Sequence, residues 1–103
     1  MTINIQYQQM PTSETLSKIV ANKLKKLEHK YQFLIRADIT FKMENDPTGN
    51  GKVCDMELSA PGPRIFARSN SDDFEKAAAE TISDLEIQLR KRKGKFDKRR
   101  KAI

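Results

Sequence analysis

Residues 35–69 read IRADITFKMENDPTGNGKVCDMELSAPGPRIFARS, and they hold three apolar–polar alternations in a row. Ile35, Ala37, Ile39, Phe41 and Met43 fall on one side of the first, against Arg36, Asp38, Thr40, Lys42 and Glu44. In the second, Cys54, Met56, Leu58 and Ala60 alternate with Asp55, Glu57 and Ser59. Ile65, Ala67 and Ser69 form one side of the third. A period of two marks strands buried on one face. NDPTGNG and PGP are turns by composition. Three such strands joined by short loops predict an antiparallel meander.

Outward from this run the period changes. TINIQYQ, residues 2–8, alternates Ile3, Ile5 and Tyr7 against polar neighbours, a fourth strand. After it, Ser13 is the expected N-cap of a helix with Glu14 in the first turn. Leu16, Ile19, Val20, Leu24, Leu27 and Tyr31 then recur at helical spacing. On the far side of the meander, Phe74, Ala78, Thr81, Leu85 and Leu89 predict a second helix, with Ser71 as its expected cap. Asp72, Asp73 and Glu75 at its start and basic residues at its end complement the helix dipole. The order β-α-β-β-β-α predicts an α+β two-layer sandwich: a four-stranded sheet with two helices on one face. The helical crossover makes the first strand parallel to its neighbour.

Charge is unevenly placed. The net charge is +6, yet residues 90–101 alone carry nine Lys/Arg and one Asp. Residues 13–31 carry five Lys and two Glu, so the rest of the chain is net acidic. Such polarisation predicts a polyanionic partner. Lys23, Lys26 and Lys30 form an i, i+3, i+7 stripe on one shoulder of the first helix, while Lys18, Lys25 and His29 face solvent. In the second helix Lys91 and Lys95 again take a shoulder. Arg92 falls at the centre of the apolar arc, where an unpaired arginine cannot be buried. The helix is therefore expected to run past the sheet and present Arg90, Lys91, Arg92 and Lys93 nearly all round.

Other functions fit poorly. His29 is the single histidine and Cys54 the single cysteine, so no internal disulfide, Cys/His zinc set or catalytic pair is expected. No Gly-rich phosphate loop appears. Asp46, Thr48, Asn50, Gly51 and Glu57 mimic the spacing of an EF-hand loop, but strands flank it and Thr48 replaces a carboxylate. A double-stranded-RNA domain would have lysines where Asp72, Asp73 and Glu75 begin the last helix. An RNA-recognition sheet needs exposed aromatics, whereas the outward residues here read as acidic and non-aromatic. A membrane-surface or acidic-partner module remains as a rival, though the basic end lacks an apolar face beyond Phe96. We expect no enzyme activity, no cofactor, no metal and no small-molecule substrate. With no apolar run long enough for a membrane span, we expect a cytoplasmic protein.

NKLKKLEHKY (22–31), PGPRIFARS (61–69) and DDFEKAAAETISDLEIQLRKRKGK (72–95) together resemble the ribosome hibernation promoting factors, the family that includes ribosome-associated inhibitor A. The resemblance spans residues 1 to about 96 and is one of Lys/Leu spacing. It implies binding to rRNA of the small ribosomal subunit, in the channel that mRNA and tRNA occupy, and hence inhibition of translation. It implies rRNA contacts from Lys23, Lys26 and Lys30 on the first helix and from Lys91, Arg92, Lys93 and Lys95 on the second; Arg90, displayed at the same helix end, joins the expected rRNA-binding set. Asp84 and Ile87 depart from it, because relatives often carry basic residues in mid-helix. The implied layout is one ribosome-binding domain over 1–96 and a basic tail over 97–103, monomeric off the ribosome and without a membrane partner.

Overall fold

The computed structural model describes the backbone of residues 1–101 and the side chains of residues 1–95. Side chains of the predicted tail, and residues 102 and 103 altogether, lie outside the described residues. The elements are β1 (Thr2–Gln8), α1 (Glu14–Lys30), β2 (Arg36–Met43), β3 (Lys52–Ser59), β4 (Ile65–Ser71) and α2 (Phe74–Lys101). They form one sheet in the order β1-β2-β3-β4. β1 pairs with β2 in parallel, Ile5 opposite Ile39. The other two pairings are antiparallel, placing Ile39 opposite Met56 and Met56 opposite Ala67. The α+β sandwich expected from the alternation is the fold observed.

Both helices cover the inward face. Leu16, Val20, Leu24 and Leu27 of α1 meet Ala37, Ile39, Phe41, Met56 and Leu58 of the sheet, with Ala77, Ala78, Leu85 and Leu89 of α2 closing the same core. The ring of Phe41 stacks on Tyr7 at 5.4 Å and meets Phe74 edge-on at 5.8 Å. Tyr7 packs half-buried against the core while its hydroxyl donates to the Ser13 carbonyl at 2.8 Å, tying β1 to the start of α1. Thr81 lies fully buried among apolar residues because its hydroxyl donates back to the Ala77 carbonyl at 2.8 Å.

Ser13 caps α1 as expected, its Oγ accepting from the Leu16 amide at 3.2 Å. Ser71 does not cap α2; it is the buried last residue of β4. Asp73 takes that role, with Oδ2 accepting from the Lys76 amide at 3.2 Å and its carbonyl from the Ala77 amide at 2.9 Å. A carboxylate at this position also faces the positive end of the helix dipole.

The alternation in β2 fails at its two ends. Ile35 and Met43 were expected inside, yet they are 59% and 46% exposed. Alternation fixes which side of the sheet a residue takes, but burial also needs a helix above it. At the first end Leu34 fills the core instead, its amide donating to the Tyr31 carbonyl in a tight turn out of α1. On β3, Val53 is fully buried although it belongs to the outward set, opposite Lys42 and Asn70 in register.

Gly51 ends the β2–β3 loop at φ +113°, and a Cβ there would run into the Glu44 carbonyl. Asp46 closes the loop, accepting from the Thr48 amide at 2.9 Å and the Thr48 hydroxyl at 2.6 Å. Those bonds, the hydroxyl's first, hold its carboxyl below the usual range. Glu57, twelfth in the EF-hand-like spacing, stands on β3 and pairs with Arg64 at 3.3 Å.

Candidate nucleic-acid interface

The two helices run in the same direction. Their starts meet where Leu16 and Ile19 line a small cleft with Asp73 and Phe74. Further along, Lys30 near the end of α1 reaches Glu86 in mid-α2. Parallel helices bring both negative dipole ends to one end of the molecule, where cations are favoured. α2 is the longer, at 28 residues against 17. It therefore overshoots α1 by several turns and carries its basic residues beyond the sheet.

Between the helices lies an open groove of about 400 Å³. Lys23, Lys26 and Lys30 form its α1 wall; Ala79, Ile82, Ser83 and Glu86 form the other, over a floor that includes Leu27. At 100° per residue, with Phe74 at zero, the α2 wall spans about 80–180° and Arg90 and Lys93 continue it at about 160° and 100°. The Lys93 ammonium sits 5.9 Å from the centre of the Tyr31 ring, the C-cap of α1. Five predicted residues, Lys23, Lys26, Lys30, Arg90 and Lys93, thus share the side of the molecule where α1 and α2 meet.

Lys91 and Lys95 do not join them. They fall at about 260° and 300° on the same wheel, the opposite flank of α2. That flank is fixed by Gln88, whose side chain donates to the Phe66 carbonyl on β4 at 3.0 Å. A helix wheel drawn from sequence gives two shoulders without saying which one faces α1. The expected single patch is therefore a cationic strip between the helices plus a second pair behind the projecting helix.

Arg92 is also not displayed as expected. Its Nη1 donates to the Pro61 carbonyl at 3.1 Å and the Pro63 carbonyl at 2.6 Å. The guanidinium lies against Gly62, where a Cβ would stand 3.5 Å from Nη1. An arginine in the core arc is satisfied because the PGP turn folds under it and offers two carbonyls. Among the described residues, Lys23, Lys26, Arg90, Lys91 and Lys95 have no ion-pair partner. Lys30 has one, Glu86 at 2.9 Å.

The outer face of the sheet differs from its reading as acidic and non-aromatic. Arg36–Asp38, Lys42–Asp55, Arg64–Glu57 and Arg68–Glu44 pair across it. The first of these raises Arg36 and lowers Asp38, chiefly through their hydrogen bonds. Phe66 is an exposed aromatic on this face, at 55%. Charge balance and a single ring still make it a poor platform for stacked bases.

Cys54 is fully buried, and burial pushes its thiol up to about 12. His29 is exposed on α1. Among the described residues no cluster of His, Cys, Asp or Glu could hold a metal ion, and no helix is long and apolar enough to cross a membrane.

The β-α-β-β-β-α order, with parallel helices on one face of a four-stranded sheet, defines a class of small two-layer α+β domain. A family model described as Sigma 54 modulation protein / S30EA ribosomal protein matches residues 3–97. The chain belongs to this family, that of the ribosome hibernation promoting factors. A ribosomal subunit interface protein from Coxiella burnetii has a similar structure, with TM-score 0.81 and 26% identity over 91% of this chain and 99% of that one. The Protein Y N-terminal domain from Thermus thermophilus shares the fold at TM-score 0.76 and 17% identity, covering 88% of this chain and 98% of that one.

Proposed function

We propose that the protein binds rRNA of the small ribosomal subunit in the channel used by mRNA and tRNA, and that it halts translation by occupying that space. The observation that carries this is the cationic strip between the helices, Lys23, Lys26, Lys30, Arg90 and Lys93, in a chain of this family. The family supports a ribosomal partner, and the strip supports this surface as the one that meets it. Lysine and arginine meet phosphates, release counterions, and recognise the shape of a groove rather than a sequence. Lys91 and Lys95 touch RNA on the far side of the projecting helix, so the helix inserts between two backbone segments instead of lying flat on one. Arg92 holds the helix to the PGP turn. Residues 1–96 form the binding unit and 97–103 add charge to its end. No step needs a nucleophile, a metal or a cofactor, and the protein acts in the cytoplasm as a monomer off the ribosome.

Co-sedimentation with small subunits across a salt series tests the reading. With five to seven phosphates neutralised, the log–log slope is expected at about −4 to −6. Flotation with anionic vesicles in place of pelleting with subunits would support the membrane-surface alternative and overturn the proposal.

A further inference from the structure

Glu86 is an anomaly in the groove. It stands in a wall facing three lysines, and its side chain is only 24% exposed. It holds the Lys30 ammonium at 2.9 Å. A carboxylate there presents two oxygens to a lysine, as a phosphate does. It also repels any phosphate that enters beside it. Lys23 and Lys26, on the same wall as Lys30, have no such partner among the described residues.

We propose that Glu86 occupies the phosphate position of Lys30 in the free protein and is displaced when an RNA backbone enters the groove. This rests on the proposed RNA-binding role and assigns Glu86 a part in its specificity. An RNA whose backbone does not follow the groove cannot displace the carboxylate, so it meets one cation fewer and one repulsive charge. RNA of the right shape exchanges one anion for another on Lys30.

The exchange can be read in binding. Glu86→Gln keeps the shape of the side chain and removes its charge. It should tighten binding to small subunits roughly two- to fivefold at low salt, the range expected for freeing an exposed ion pair. Its salt slope should stay that of the wild type, because Lys30 meets a phosphate in both complexes. Asp84→Asn removes a charge from the other flank of α2 and should give a smaller gain with no change in slope. In a Lys30→Gln background, Glu86→Gln should change neither quantity beyond what Asp84→Asn does. A Glu86→Gln gain that survives loss of Lys30, that Asp84→Asn equals, or that fails to appear would overturn the inference. Failure of the wild-type protein to bind small subunits at any salt would instead overturn the reading beneath it.

Discussion

Gly51 shows how one residue can be fixed by backbone alone. Its φ of +113° lies where only glycine is unstrained, and the Glu44 carbonyl occupies the place of a Cβ. The same residue's amide donates to Asn70 Oδ1 at 2.8 Å, linking the loop to β4. Gly51→Ala should lose about 1–3 kcal/mol of stability, read from chemical denaturation. Gly49, at φ +90° with open space around it, should show only the backbone part of that loss. Cys54 is fixed by its surroundings. Burial, with a smaller push from Asp55, raises its thiol from 9.0 to about 12. Folding therefore favours the neutral thiol. Its contribution is complete below about pH 9 and is lost as pH rises towards 12. The melting temperature should fall over that window, and less so in Cys54→Ala once its lower starting stability is subtracted. A thiol reagent at neutral pH should label Cys54 only as fast as the protein opens.

At the scale of elements, α2 does two jobs along its length. From Phe74 to Leu89 it is an amphipathic core helix. Beyond Leu89 it leaves the sheet, and Arg92 anchors it to the PGP turn. Arg92→Ala should lower stability by about 0.5–1.5 kcal/mol, because water replaces part of what two hydrogen bonds to turn carbonyls supply. Its effect on the salt slope should be smaller than that of Lys91→Ala, since a positioning residue releases no counterion of its own. An Arg92→Ala slope reduced by a full phosphate contact would show instead that the guanidinium touches RNA.

For the molecule as a whole, the question is how the two cationic flanks share the work. Lys23→Glu with Lys26→Glu alters the strip beside α1; Lys91→Glu with Lys95→Glu alters the back of the projecting helix. All four side chains lack ion-pair partners among the described residues, so circular dichroism should be unchanged in both variants. If the helix inserts between two backbone segments, each pair should abolish small-subunit pelleting at moderate salt. Loss in only one variant would assign the contact to that flank alone. Long-range attraction contributes to both, and high salt should erase the difference between variants and wild type.

The sequence by itself determined the element order, the sandwich, the N-cap at Ser13 and the polarised charge. These depend on periodicity and on local chemistry, which act within a few residues of chain. It also carried the family resemblance through the spacing in NKLKKLEHKY and in the second helix. Only the tertiary structure decided which shoulder of α2 faces α1, and so separated Arg90 and Lys93 from Lys91 and Lys95. It alone joined Lys30 to Glu86, Arg92 to the Pro61 and Pro63 carbonyls, and Lys93 to the Tyr31 ring. These partners are 29 to 62 residues apart in the chain, and no local pattern encodes a contact at that distance. A helix wheel is a cylinder without neighbours; the sheet beneath and the helix beside it give each face its meaning.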